Sequence, residues 1–158
     1  MSDFSLRPES PRQPEVLALI DELDAFQKPL YPPESFHGVD LEALCAPEMH
    51  FLVLRDAAGQ AQGCGAVWAC SVDGAPAGEI KRVFVRPALR GQGAAKALMQ
   101  ALEAQARGKG AQALWLETGC LQHEAIGLYE RLGFRRCAAF GDYAPDPLSV
   151  FMRKDLPA

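Results

Sequence analysis

Glu79 to Leu102 reads EIKRVFVRPALRGQGAAKALMQAL. Its opening, Glu79 to Arg86, is of strand length, with β-branched and aromatic residues at Ile80, Val83, Phe84 and Val85 among charged ones, and Pro87 follows it. Small side chains follow. Arg90 to Ala95 (RGQGAA) opens a long helix whose apolar face is Ala94, Leu98, Ala101, Leu102 and Gln105, and which Gly108 and Gly110 close. Gly91 and Gly93 carry no Cβ, so an oxyanion can approach the backbone there. The free N–H groups of the first helical turn face it, with the positive end of the helix dipole behind them and Arg90 beside them. Strand, glycine loop and helix together form an anion cradle, although glycine turns before helices also occur for connection alone. A dinucleotide fingerprint would need glycine where Lys96 stands, and the Gly-Lys-Ser/Thr of a phosphate-binding P-loop is missing.

Upstream, Phe4 to Arg7 is a short strand, and Pro14 to Gln27 places Val16, Leu19, Ile20, Leu23 and Phe26 at helical spacing. The Leu30 to Gly38 loop holds Pro32 and Pro33. Asp40 caps a second, short helix through Leu41, Leu44 and Cys45, ended by Pro47. His50 to Arg55 and Gly63 to Val72 form a hairpin around the Asp56 to Gln60 turn, and a Gly74 to Gly78 turn leads to the Glu79 strand. Downstream the pattern alternates: strand Ala113 to Thr118, helix Gln122 to Leu132 with Ala125, Leu128, Tyr129 and Leu132 on one face, Gly133 as its left-handed cap, then strands Phe134 to Ala139 and Ser149 to Lys154 around a Gly141 to Pro147 loop. No repeat or linker divides the chain, and 158 residues suit one domain spanning 1–158. The expected fold is α/β, a mixed and mostly antiparallel sheet flanked by helices.

Composition excludes several classes. Sixteen basic against twenty acidic residues leave a charge of −4, which cannot supply the usual attraction for a phosphate backbone, so no nucleic-acid partner is expected. Apolar stretches are far shorter than the roughly 18 residues that span a bilayer, and Met1 to Ser10 lacks the basic flank and apolar run of a secretory signal; no membrane partner is expected. The odd set Cys45, Cys64, Cys70, Cys120 and Cys137 reads as reduced thiols of a cytoplasmic protein. Cys120 and His123 make a single C-x-x-H pair with no second pair to complete a zinc site, so no metal is expected.

Arg90-x-x-Gly93-x-Ala95, preceded by Val83-Phe84-Val85-x-Pro87, resembles the acyl-CoA signature of the Gcn5-related N-acetyltransferases (GNAT). Ala125-x-x-Leu128-Tyr129-Glu130-x-x-Gly133-Phe134 resembles that family's later motif, and the likeness covers roughly residues 50 to 154. It implies that the cofactor strand splays from the next one and offers its backbone, at Phe84 and Val85, to the pantetheine arm of acetyl-CoA. Arg90, Gly91, Gln92, Gly93, Ala94 and Ala95 would then hold the pyrophosphate. Gln122 stands where many members place Asn, a departure that bears on contacts to the cofactor arm. The Pro32-Pro33-Glu34-Ser35-Phe36-His37 phrase, with Asp40-Leu41, also looks like a subgroup of bacterial acetyltransferases.

By the same resemblance Tyr129 protonates the leaving thiolate, chemistry suited to a phenol within hydrogen-bond reach; its plain alternative is a core tyrosine with a surface hydroxyl. A protonated amine cannot attack a thioester, so a base is needed, and some members carry a carboxylate at the position of Glu79. The alternatives are a solvated strand-end Glu79, with Glu117 on the next strand as the competing base. Lys81 and Arg82 read as solvated strand positions that either serve no ligand or meet the adenosine 3′-phosphate. His37 and Tyr143 are candidates for the acceptor wall, and His50 reads as a strand-edge residue. The expected activity is acetyl transfer from acetyl-CoA to a small-molecule or peptide amine by direct attack in a ternary complex, since no Cys or Ser sits in a nucleophile motif. The rival is a non-catalytic acyl-CoA-binding regulatory module. A homodimer is compatible with either, and no residue names the acceptor.

Overall fold

Tight turns set the first half of the sheet. In the computed structural model, which describes residues 3–157, strand β1 (Phe4–Pro8) is followed by helix α1 (Pro14–Gln27), the short helix α2 (Leu41–Leu44) and then the hairpins of β2 (Met49–Asp56), β3 (Ala61–Val72) and β4 (Ala75–Val85). A two-residue Asp73-Gly74 turn joins β3 to β4, so Ala75 to Gly78 belong to the strand and not to the turn expected there. Pro76 and Gly78 disguise that stretch as a turn because their strand preference is low, and pairing to β3 overrides it. Glu79 consequently lies in mid-strand rather than at a strand start. Helix α3 (Ala94–Gly108), β5 (Ala113–Gly119), α4 (His123–Arg131), β6 (Arg135–Cys137) and β7 (Ser149–Asp155) complete the chain.

The seven strands lie in the order β1-β2-β3-β4-β5-β7-β6, and every pairing is antiparallel except β4 with β5. Helix α3 buries Ala94, Leu98, Met99, Leu102 and Ala106 against one face, a ridge of four-residue steps that takes Met99 and Ala106 inward where Ala101 and Gln105 were expected. On α4 it is Ile126 and Tyr129 that are buried. The opposite face carries α1 and α2, with Val16, Leu19 and Leu44 packed on Phe51, Val53 and Cys64. Phe26, read as part of the apolar stripe of α1, is 60% exposed near the helix end. A third cluster joins Trp115, Phe140 and Phe151 beyond β5. Asp40 caps α2 as expected, its carboxylate accepting from Ala43 N–H at 2.8 Å. No helix among the described residues is long and apolar enough to cross a membrane.

Two irregularities in β4 create the site. Strand β4 pairs with β5 only at Gly78–Leu114 and Glu79–Trp115, so from Ile80 onward the sheet is forked. Within the fork, Arg82 and Val83 together oppose Gly65 alone, a two-against-one bulge, and Arg82 sits at φ 55°, a left-handed conformation rare for a side chain of that size.

Candidate active site

The fork opens into a cavity of about 90 Å³. Glu117 and Thr118 from β5, Lys81 to Val83 from β4, Tyr129 from α4, the Tyr31 to Gly38 loop and Tyr143 from the β6–β7 loop all line it. Glu117 accepts a hydrogen bond from the Ser149 hydroxyl at 2.7 Å. Burial pushes its pKa above the usual carboxyl value, against the Ser149 bond and the charges of His37 and Lys81. Tyr129 is only 7% exposed, and burial lifts its phenol to about 12, so it stays protonated and able to donate at neutral pH.

Glu79 sits behind this cavity instead of lining it. It is 4% exposed; its Oε2 accepts from the Tyr143 hydroxyl at 2.6 Å and pairs with Lys81 Nζ at 2.7 Å, while Lys81 Nζ also donates to Tyr143 Oη at 2.7 Å. The three groups close a triangle. Burial, then the adjacent Glu79 carboxylate, raises the Tyr143 pKa strongly.

Lys81 and Arg82, expected in solvent, are half-buried residues whose side chains are only 12% and 7% exposed. Arg82 pairs with Asp24 of α1 at 2.6 Å and lies over the Phe36 ring, 5.6 Å from its centroid. In a regular strand two consecutive side chains face opposite ways, so one at most would reach the cleft. The bulge turns both toward it, and strand alternation carries no sign of that. His37 also reaches the cavity, its ring edge-on to Tyr143 at 5.1 Å. His50 is elsewhere, in a second cavity of about 260 Å³ beside Cys70 and Lys109, where burial and then Lys109 lower its pKa.

Toward the other end of the fork, Phe84 and Val85 end β4, and Arg90 Nε donates to Val85 O at 3.1 Å. Arg90, Gly91, Gln92 and Gly93 are exposed; Ala94 is buried and Ala95 half-buried at the start of α3. Gly91 and Gly93 adopt φ 78° and 77°, conformations that exclude most side chains, and a Cβ on either would meet nothing within 4 Å. The space that a side chain would occupy at either glycine is therefore open. The β5-facing edge of β4 beyond Glu79 lacks a strand partner, which leaves its backbone groups to an extended ligand. These residues fit the pyrophosphate and pantetheine of coenzyme A.

Sequence reasoning passed over Tyr31, Asp24 and Ser149. The Tyr31 hydroxyl donates to Gln122 Oε1 and accepts from Leu121 N–H at 3.0 Å, tying the loop after α1 to the N-terminus of α4. Gln122, the departure noted in the motif, thus serves the loop. Tyr31 gave no signal beyond its place before Pro32-Pro33; Asp24 and Ser149 occupy ordinary exposed-face positions of a helix and a strand end. Among the described residues no cluster of three or more metal-type ligands occurs.

Comparison with known proteins places the chain in a family. Residues 17–134 match the model of the acetyltransferase (GNAT) family. The chain is 45% identical over 156 residues to an IAA acetyltransferase of Azospirillum brasilense, covering 99% of this chain and 100% of that one. A crystal structure described as an acyl-CoA N-acyltransferase from Klebsiella pneumoniae superposes with a TM-score of 0.80 at 39% identity, over 97% of both chains. The fold also matches yncA of Salmonella typhimurium, solved with its cofactor acetyl-CoA, at a TM-score of 0.72, 20% identity and coverage of 99% of this chain and 95% of that one. The chain belongs to the GNAT family of acyl-CoA-dependent N-acetyltransferases.

Proposed function

We propose that the chain, acting as one domain, transfers an acetyl group from acetyl-CoA to a primary amine by direct attack in a ternary complex. The observation that carries this reading is the meeting of a half-buried carboxylate, Glu117, and a buried, protonated phenol, Tyr129, in the walls of one forked cavity. Acetyl-CoA supplies the activated thioester. Gly91 and Gly93 leave room for its pyrophosphate on the N–H groups of Gln92 to Ala95, Arg90 adds charge, and Phe84 and Val85 offer backbone to the arm.

Glu117 takes a proton from the acceptor ammonium, which frees the nitrogen lone pair. A C–N bond forms, the C–S bond breaks, Tyr129 Oη gives its proton to the departing sulfur, and the second proton shed by the nitrogen as it becomes an amide restores the phenol. Glu79 acts from behind the cavity, where it fixes Lys81 Nζ and Tyr143 Oη in place. Base duty falls to Glu117 because it lines the cavity, whereas Glu79 does not and is already bonded to Lys81 and Tyr143.

The test incubates the protein with acetyl-CoA and a panel of primary amines, following free thiol and the N-acetylated product by mass spectrometry. Amine-dependent thiol release with a matching product is the expected result. Tight acetyl-CoA binding with no release from any amine would instead identify a non-catalytic binding module.

A further inference from the structure

Three buried side-chain polar atoms among the described residues have no hydrogen-bond partner: His37 Nε2, Arg82 Nε and Arg153 Nε. Two of them, on His37 and Arg82, belong to residues that line the cavity at the fork. The third lies apart, its guanidinium stacked on Trp115 at 4.6 Å. A buried N–H without an acceptor costs on the order of 1–3 kcal/mol, a penalty that a bound ligand removes. The coincidence of two such atoms in one cavity therefore describes the ligand.

Arg82 is held for this purpose. Its Nη1 is committed to Asp24 at 2.6 Å, and its face rests on Phe36, so the guanidinium cannot swing away. What remains is the edge bearing Nε, which together with Nη2 is the fork that receives a carboxylate side-on. The left-handed backbone at φ 55° and the bulge accompany the placement of Arg82 in the cavity wall. Lys81 adds a second cation to the wall. The carboxylates that balance these two cations, Asp24 and Glu79, do not line the cavity, so of the acids paired here only Glu117 faces the acceptor.

We propose that the acceptor is an amino acid: its carboxylate seats on Arg82 Nε and His37 Nε2 while its amine is presented to Glu117. This rests on the amine-transfer reading and narrows it. A polyamine or an aminoglycoside would place further positive charge against Lys81 and Arg82 and leave both buried donors unpaired; the overall charge of −4 is a poor guide to this local wall.

The experiment compares two probes that differ at that carboxylate: an equimolar mixture of the common α-amino acids without cysteine, and the same mixture as α-carboxamides, with spermidine as the polycationic control. Acetyl transfer is read as thiol release with acetyl-CoA. Binding is read separately as the thermal shift produced by each mixture in the presence of CoA. The wild type should turn over the acids at least tenfold faster than the amides and be stabilised by the acids alone. Arg82→Gln should raise KM for the best acid at least tenfold and erase the acid-to-amide preference. Because loss of the Asp24 pair can disturb folding, His37→Phe, which keeps the ring on Tyr143 and removes Nε2, serves as the second variant and should lower the same preference.

Equal or faster turnover of amides or spermidine overturns the proposal and leaves amine transfer standing. If no probe is acetylated, the thermal shift decides the anion site by itself: stabilisation by acids in wild type but not in the two variants upholds it, and an equal response to acids and amides removes it.

Discussion

The two ends of the forked cleft are built by different means. The cofactor end is local: Phe84 to Ala95 is one continuous stretch, and backbone conformation at Gly91 and Gly93 with the start of α3 makes the site. The acceptor end is assembled from α1, the Tyr31 to Gly38 loop, the β4 bulge, β5 and the β6–β7 loop, with groups such as Ser35 and Asp146, 111 positions apart in the chain, hydrogen-bonded at 2.5 Å. A local site writes its chemistry into a motif, whereas an assembled one spreads it over single residues that only the fold brings together. On the proposed reading, cofactor binding therefore lies at one end and selectivity for the acceptor at the other.

The comparison breaks most visibly at the two groups proposed to do the chemistry. Tyr129→Phe should lower turnover by on the order of 10² while acetyl-CoA affinity, measured by calorimetry, holds. If turnover stays near wild type and only stability shifts slightly, Tyr129 is a packing residue of the Phe134 cluster.

Glu117→Gln should be slowed by a similar order, and its pH dependence carries the sign. The wild-type rate should fall as pH drops through a pKa higher than an ordinary carboxyl's, because the protonated form cannot accept the acceptor's proton. The stability effect runs the other way. A carboxyl whose folded pKa is raised favours the folded state fully below its unfolded pKa, about 4.3, and that contribution is lost as pH rises through the folded value. Glu117→Gln should therefore melt no lower than wild type at neutral pH, and higher if the Ser149 bond survives, with the gap closing in acid. Glu79→Gln should separate from it: it leaves Lys81 without its counter-ion, so a lower melting temperature accompanies its loss of rate. A normal pH-rate profile for Glu117→Gln beside a defective Glu79→Gln would return the base to β4.

Much of this was legible before the coordinates. The bounds of α1, the cap of α2, the β2–β3 hairpin and the helix after Gly93 follow from spacing and capping, as does the mostly antiparallel sheet. Ala75 to Gly78 escaped because proline and glycine hide a strand that pairing stabilises. The inward turn of Lys81 and Arg82 escaped because a bulge breaks the period of two on which strand reading depends. Both failures fall on β4, the strand that carries the site.

At the cofactor end, Gly93→Asp should weaken acetyl-CoA by at least roughly tenfold, about 1.4 kcal/mol. It puts a carboxylate into the open space before the helix and an ordinary residue at φ 77°. Calorimetric titration of a variant shown folded by circular dichroism checks it, and unchanged affinity would remove the cradle.

The smallest expected effect lies where the ends meet, at Tyr31. Its hydroxyl donates to Gln122 and accepts from Leu121 N–H at 3.0 Å, while a Cβ on Gly119 would collide with that hydroxyl and with the ring carbon bearing it. Tyr31→Phe loses the bonds but keeps the ring. Leu121 is 49% exposed, so water can reach the freed N–H, and the net cost should be about 1 kcal/mol, a fall in melting temperature of roughly 2–4 °C for a chain of this size. Gly119→Ala should cost more, because removing the hydroxyl still leaves the ring carbon too close; the loop must move for the methyl to fit. Both changes act on one contact, so the double variant should lose less than the sum of the single losses. Strict additivity in melting experiments would mean that Tyr31 and Gly119 do not share a contact in solution, and that the loop lining the acceptor end is not fastened to α4 at this point.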